Sequence, residues 1–208
     1  MLVTKKIQNP LRHSMQTILT DVDGVLLDWE AGFEQWMLRR GHKFNPNGYG
    51  HFRVSIRYDI AEDLAMDLIH EYNESAACGF LKPLRDSVYY VKRLNQEHGY
   101  RFNVITSFGT DPYAIKLREQ LLVSTFGDIF DSIVCLNIGE HKEHELRKYA
   151  QSGMYWIEDH PRNAQAGKHM GLNSILIRHD YNQGHDTGPF AIPTVDNWKQ
   201  LYSLITGE

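Results

Sequence analysis

The chain has 208 residues, a formal net charge of −4, 42% hydrophobic and 23% charged residues. That length supports one substantial core with a modest insert, and that composition excludes a disordered or low-complexity chain. The mildly acidic balance gives no general attraction to nucleic acid or anionic membrane, so a polyanion would need a local basic site.

In chain order, the opening MLVTKKIQNPLRHSM (Met1–Met15) has two lysines but no apolar segment after them, so no secretory signal is expected. QTILT (Gln16–Thr20) is short, apolar and β-branched and reads as the first strand. From Trp29 to Phe80 no clear strand follows. EAGFEQWMLRR, ended by Gly41, and AEDLAMDLIHEYNES read as helices flanking the aromatic loop GHKFNPNGYGHF. This interval is too long for a plain connection and reads as an inserted helical subdomain. The aromatics Phe33, Trp36, Phe44, Tyr49 and Phe52 are expected to form its own small core.

Strands and helices alternate after it. Arg101–Thr106, Asp131–Asn137, Met154–Glu158 and Ser174–Arg178 read as strands; Arg85–His98, Asp111–Phe126 and Lys142–Gln151 read as amphipathic helices. Asp111-Pro112 and His160-Pro161 are helix starts, a capping residue followed by proline at the first helical position. Tyr181–Pro193 looks flexible, and NWKQLYSLI closes the chain as a helix. The apolar runs are strand-sized, so no transmembrane helix is expected. Alternation of this kind predicts an α/β fold with a parallel sheet covered on both faces, whose ligands bind beyond the carboxyl ends of the strands. Cys78 and Cys135 share no CxxC pairing and read as two reduced thiols of a cytoplasmic protein.

Four features fall at successive strand ends. DVDG places Asp21 and Asp23 after the first strand, where Gly24 lets the chain turn. Paired carboxylates offer a hard oxygen site suited to Mg²⁺, or can divide into an ionised attacker and a proton carrier. Raising an aspartate from about 3.9 to near 6 costs roughly 3 kcal/mol, which burial and a like charge can supply. Taken alone, the pair reads equally well as a solvated turn; as an EF-hand it lacks the third acid and the closing glutamate. Thr106 and Ser107 end the second strand, where a hydroxyl and backbone N–H groups suit phosphate oxygens. Lys142 opens the helix after the third strand and can neutralise a phosphate. Glu158-Asp159 ends the fourth strand as a second acidic pair.

With these residues in this order, the chain resembles the haloacid dehalogenase (HAD) superfamily over nearly its full length. DVDGVLLD is similar to that superfamily's first motif, Thr106 to its second, Lys142 to its third, and Glu158-Asp159 to its fourth. Within it the chain looks most like the 5'(3')-deoxyribonucleotidases, which have a similar DGVL-D-aromatic-E opening, a helical cap at the same insertion point, a TS second motif and a late Trp-containing helix. Glu158 stands where those relatives carry aspartate, and the segment before Lys142 is longer. The resemblance implies a Rossmann-like core over 1–28 and 81–208 and a helical cap over 29–80. It implies Mg²⁺-dependent hydrolysis of nucleoside, chiefly deoxyribonucleoside, monophosphates through an aspartyl-phosphate. Asp21 would be the nucleophile and Asp23 the acid and base. Mg²⁺ would be held by Asp21, the Asp23 carbonyl and Asp159, with Glu158 behind them. Thr106, Ser107 and Lys142 would hold the phosphoryl oxygens, and Trp29, at the start of the cap, would pack on the base.

The resemblance leaves two alternatives open: a HAD phosphatase for another small phosphoester or a polynucleotide end, and a non-catalytic HAD-like binding protein. No Lys/Arg cluster along the chain suggests an extended nucleic-acid partner. The expected partner is a small phosphoester, with no membrane and with a homodimer left open. His141, His144, Glu145 and His160 lack a recognised zinc spacing and read more simply as surface histidines.

Overall fold

The structure is a computed structural model that describes residues 17–183 and 191–208. The Met1–Met15 opening and the middle of the late loop lie outside the described residues. Six strands, β1 Thr17–Thr20, β2 Arg101–Ser107, β3 Phe130–Leu136, β4 Tyr155–Glu158, β5 Asn173–Ile177 and β6 Thr194–Val195, form one sheet in the order β3-β2-β1-β4-β5-β6. All neighbouring pairs are parallel. Alternate residues of β1 face opposite layers. Ile18 joins a cluster with Phe102, Val104, Leu94, Leu122 and Ile157, whereas Leu19 joins Ile105, Leu146, Trp156 and Leu172.

Helices cover both faces. Outside the insert they are α4 Ser87–His98, α5 Pro112–Phe126, α6 Glu143–Leu146, α7 Pro161–His169 and α8 Trp198–Thr206. Asp111, His160 and Asn197 cap α5, α7 and α8 with their side chains, each leaving one fewer orphan N–H at the helix start. The helix expected over 142–151 is shorter than its pattern predicts. After α6 the chain tightens into a 3₁₀ turn, Arg147–Tyr149, and Gln151 takes a left-handed φ of 59° while its N–H donates to the Met170 carbonyl at 2.7 Å. Strand β6, two residues long, carries too little pattern to be read; backbone bonds Leu176 N–Pro193 O and Arg178 N–Val195 O, 2.9 and 2.8 Å, set its place.

Between β1 and β2, residues 29–80 form α1 Trp29–Arg39, α2 Val54–Tyr58 and α3 Glu62–Glu74 with 3₁₀ turns at Pro46–Gly48 and Ala76–Phe80. Phe33 lies at the centre of an aromatic group with Trp36, Tyr58 and Tyr72, its ring 5.2 Å from Tyr72 and 6.1 Å from Tyr58. The expected aromatic core therefore needs correction: Tyr49 and Phe52 are 67% and 51% exposed. They instead reach residues on the sheet side, Tyr49 bonding Asp180 and Phe52 packing edge-on against His160 and Tyr181. The segment enters and leaves at one place. Asp28 N–H donates to the Lys82 carbonyl at 2.9 Å, Leu84 N–H to the Leu26 carbonyl at 2.8 Å, and Leu27 bridges Pro83. Among the described residues no helix is long and apolar enough to cross a membrane.

Candidate active site

Strand β1 lies between β2 and β4, where the direction of winding reverses. The chains leaving such a point diverge and open a crevice beyond the strand ends. Asp21 and Asp23 follow β1, Thr106 and Ser107 end β2, Lys142 follows β3, and Glu158-Asp159 follows β4. All of these but Glu158 line one cavity of about 380 Å³, and Trp29, Met66 and Ile69 of the insert add its apolar side. Glu158 lies just behind the wall, fully buried.

Lys142 ties the group together. Although only 1% exposed, its ammonium lies 2.6 Å from Asp21 Oδ2 and 2.7 Å from Glu158 Oε1. Glu158 is saturated with donors. Oε1 also accepts from Asn163 at 2.9 Å, and Oε2 accepts the backbone N–H groups of Asp159 and His160 at 2.9 and 2.8 Å. Burial raises the Glu158 carboxyl, but the Lys142 charge and these hydrogen bonds outweigh it and hold the group below its usual range. Glu158 thus anchors Lys142 and the Asp159 backbone.

Asp21 behaves oppositely. Burial pushes its carboxyl up to about 6 against the pull of Lys142, and the charges of Glu158 and Asp23 add to the rise. Burial, then Glu158 and Asp21, push Asp159 well above the ordinary carboxylate range. The Tyr181 hydroxyl donates to Asp159 Oδ2, and Asn182 holds the Asp159 carbonyl at 2.8 Å. Asp21, Glu158 and Asp159 present ligand oxygens within 4.8 Å of one another. Among the described residues, these four carboxylates, counting Asp23, are paired with two cations, Lys142 and Arg118. The residues fit a divalent cation: the donors are hard oxygens, and two added positive charges would balance the site.

Gly24 is required where it stands. Its φ is +74°, and a Cβ there would sit 2.7 Å from the Tyr181 hydroxyl and closer still to Asp159. Its carbonyl accepts from His179 Nε2 at 2.7 Å. The Ser107 hydroxyl donates to the Glu140 carbonyl at 3.0 Å, which ties the end of β2 to the loop before Lys142 and commits that proton within the protein. Thr106, 1% exposed, lies beside it at the strand end.

Trp29 begins α1 and lines the cavity. It stacks on Phe33 at 4.6 Å and 11°, and its indole N–H donates to Asn73 Oδ1 at 2.8 Å. Asn73 in turn donates to the Phe108 carbonyl at 2.8 Å, so the ring is fixed from the far end of α3 and the loop after β2. His141 pairs with Arg162, and His144 is an exposed ring beside Glu145.

Arg118 was not legible as a site residue. It sits mid-way along α5 in YAIKLREQLL, where a charged residue reads as a solvated helix face. Here it is 1% exposed, and two of its nitrogens hold the Asp23 carboxylate at 2.6 and 3.2 Å while its guanidinium lies 4.0 Å over the Phe108 ring. The available signal was the surrounding helix pattern, in which Ala114, Leu122 and Phe126 share the buried stripe with Arg118.

The fold is shared with solved structures described as HAD-like proteins. A predicted phosphatase from Clostridium acetobutylicum superposes with a TM-score of 0.66 at 18% identity, covering 93% of this chain and 99% of that one. A haloacid dehalogenase-like family hydrolase from Streptococcus pneumoniae gives 0.65 at 14% identity with the same coverage. In sequence, the chain is 27% identical over 142 residues to an uncharacterised 32.4 kDa protein of Enterobacteria phage T4, across 64% of this chain. The match spans about half of that relative's length, 49%. No family model matches the chain.

Proposed function

We propose that the protein is a Mg²⁺-dependent phosphomonoesterase of the HAD type acting on nucleoside monophosphates, with residues 29–80 serving as the cap that covers the substrate. The observation that carries this reading is the convergence of Asp21, Asp23, Thr106, Lys142 and Asp159 on one cavity at the sheet's switch point, with a donor set that calls for a divalent cation. Lys142 and Thr106 would bind the phosphoryl oxygens, which leaves the Asp21 carboxylate in line with phosphorus. Its oxygen forms a bond to phosphorus as the bond to the leaving oxygen breaks, and Asp23 gives that oxygen a proton. Asp23 then takes a proton from water, which displaces Asp21 and releases phosphate. Mg²⁺, held by Asp21, Asp159 and the Asp23 carbonyl, would supply charge neutralisation for the transferring group. Glu158 keeps Lys142 and Asp159 in place.

The nucleoside part of the reading rests on Trp29, an aromatic ring of the cavity lining held by Asn73, with Met66 and Ile69 in the same lining. A flat, apolar base fits there. A panel of phosphorylated metabolites assayed with Mg²⁺ tests the proposal, with release of inorganic phosphate from nucleoside monophosphates expected. Asp21→Asn keeps the shape but removes the nucleophile and a metal ligand, so turnover should fall at least roughly a thousandfold. Wild-type turnover in that variant would sink the assignment.

A further inference from the structure

A second cavity, of about 480 Å³, opens beside the first and shares Phe52, Arg53, His160, Arg162 and Tyr181 with it. Its lining has the opposite electrostatic character. Two arginines, Arg53 and Arg162, and two histidines, His51 and His160, face it, and among the described residues its lining holds no carboxylate. On a chain with a net charge of −4, such a lining is a local exception. Arg53 stands just ahead of α2, and its guanidinium makes no ion pair or hydrogen bond among the described residues. Arg162, on the first turn of α7, has the His141 ring 3.1 Å away. Neither guanidinium is matched by an acid, in contrast to Lys142 on the first cavity's wall and to Arg118, which holds Asp23.

Phe52 forms the partition. It is half-exposed, packs edge-on against His160 at 4.6 Å and against Tyr181 at 5.7 Å, and faces both cavities. A substrate extending from the acidic, metal-suited end would meet aromatic surface and two guanidinium forks without an acid partner where the cavities join. Guanidinium groups recognise phosphate by paired, charge-assisted hydrogen bonds.

We propose that this second cavity binds a second phosphate of the substrate, carried on the leaving group beyond the ester that is cleaved. The proposal rests on the phosphatase reading for what occupies the first cavity. The second phosphate is either the monoester of a nucleoside bisphosphate or the diester of a short phosphorylated oligonucleotide end; both present the same anionic oxygens to Arg53 and Arg162. The scarcity of basic runs along the chain hid this site, because Arg53 and Arg162 lie far apart in the sequence and line one cavity only in the fold.

Three ligands separate the cases: a nucleoside 5'-monophosphate, the matching 3',5'-bisphosphate, and a 5'-phosphorylated dinucleotide. With Mg²⁺, kcat/KM for at least one two-phosphate ligand should exceed that for the monophosphate by about tenfold, and the preferred one identifies monoester or diester. The advantage should shrink as salt rises, since the site is open to solvent. In Arg53→Ala/Arg162→Ala the ratio should fall towards one, and Arg53→Lys/Arg162→Lys should recover part of it. Equilibrium binding of the same ligands to Asp21→Asn reads the site without turnover, with the same tenfold order expected in Kd. Equal affinities for one and two phosphates, or a preference that survives the double alanine variant, would overturn the second site. Absence of turnover on all three with the binding preference intact would instead overturn the phosphatase reading and leave the anion site standing.

Discussion

Asp23 is held by a side chain that pairs with no other acid among the described residues. Arg118 reaches from α5 to both oxygens of that carboxylate and is itself wedged over Phe108, so the carboxylate has little rotational freedom. A proton donor must lie within hydrogen-bond reach of the leaving oxygen at the moment of bond breaking, and small misplacements are costly. Arg118→Met should therefore lower kcat about 10–100-fold for poor leaving groups, the range found when a supporting partner of a reactive group is removed. Activated esters, whose leaving oxygen needs no proton, should lose much less. Arg118→Lys should recover part of the loss. If good and poor leaving groups suffer equally, or if the whole effect follows a lowered Tm, Arg118 only supports the fold.

At this same scale the sequence was informative where chemistry and pattern coincide. Asp21, Thr106 and Asp159 each follow a short apolar run, so their position at a strand end could be read directly, and Lys142 followed from its place after β3. Arg118, Arg53 and Arg162 carry no such mark. Each lies at or near a helix start or on a helix face, where a charge is ordinary, and only tertiary contact shows what it faces. The electrostatics were legible in kind but not in assignment. One carboxyl was expected to rise for the sake of carrying a proton, whereas burial raises Asp21 and Asp159, the pair best placed for a cation.

Among the elements, the strands and longer helices were read well because their apolar periods span a full turn or several residues of pleat. The failures are short: β6, α2, and the α6 region, where a single buried side chain, Leu146, replaces a continuous stripe. The element to which the proposed function gives most weight is α1, whose first residue is Trp29. Base-aromatic stacking is worth about 1–3 kcal/mol per base in single-strand binding proteins. Trp29→Ala should reduce kcat/KM for the best nucleoside monophosphate roughly five- to hundredfold, while hydrolysis of a small baseless phosphoester changes little. Parallel loss of both activities with earlier melting would show that Trp29 serves only its contacts with Phe33 and Asn73.

For the molecule as a whole, the buried acids make stability depend jointly on pH and metal. The folded Asp21 carboxyl, raised to about 6 from the ordinary 3.8, holds its proton more tightly than the unfolded chain does. Without metal, its contribution to stability is fully present below about 4 and is lost as pH rises through about 6. Asp159 shifts in the same direction. A divalent cation needs these groups ionised, so it should restore what the rise in pH removes. Saturating Mg²⁺ should therefore raise Tm more at pH 8 than at pH 5, and the increment should be largely abolished in Asp159→Asn. An equal increment at both pH values, or one untouched by that substitution, would place the cation elsewhere.

The pinned neck at Asp28 and Lys82 has a consequence for how such a molecule can change over generations. Everything between those two residues departs from and returns to a single doorway in the sheet's edge loops, closed by backbone hydrogen bonds that read no side chain. A replacement segment of different length or composition needs only to bring its two ends together there, and the entropy of closing a longer loop grows slowly with its length. The strand ends that carry Asp21, Thr106 and Asp159 would not have to move. Under the proposed function, most of the base-recognising surface and the bond-breaking residues would lie on separable stretches of chain, so that one could be exchanged while the other is kept.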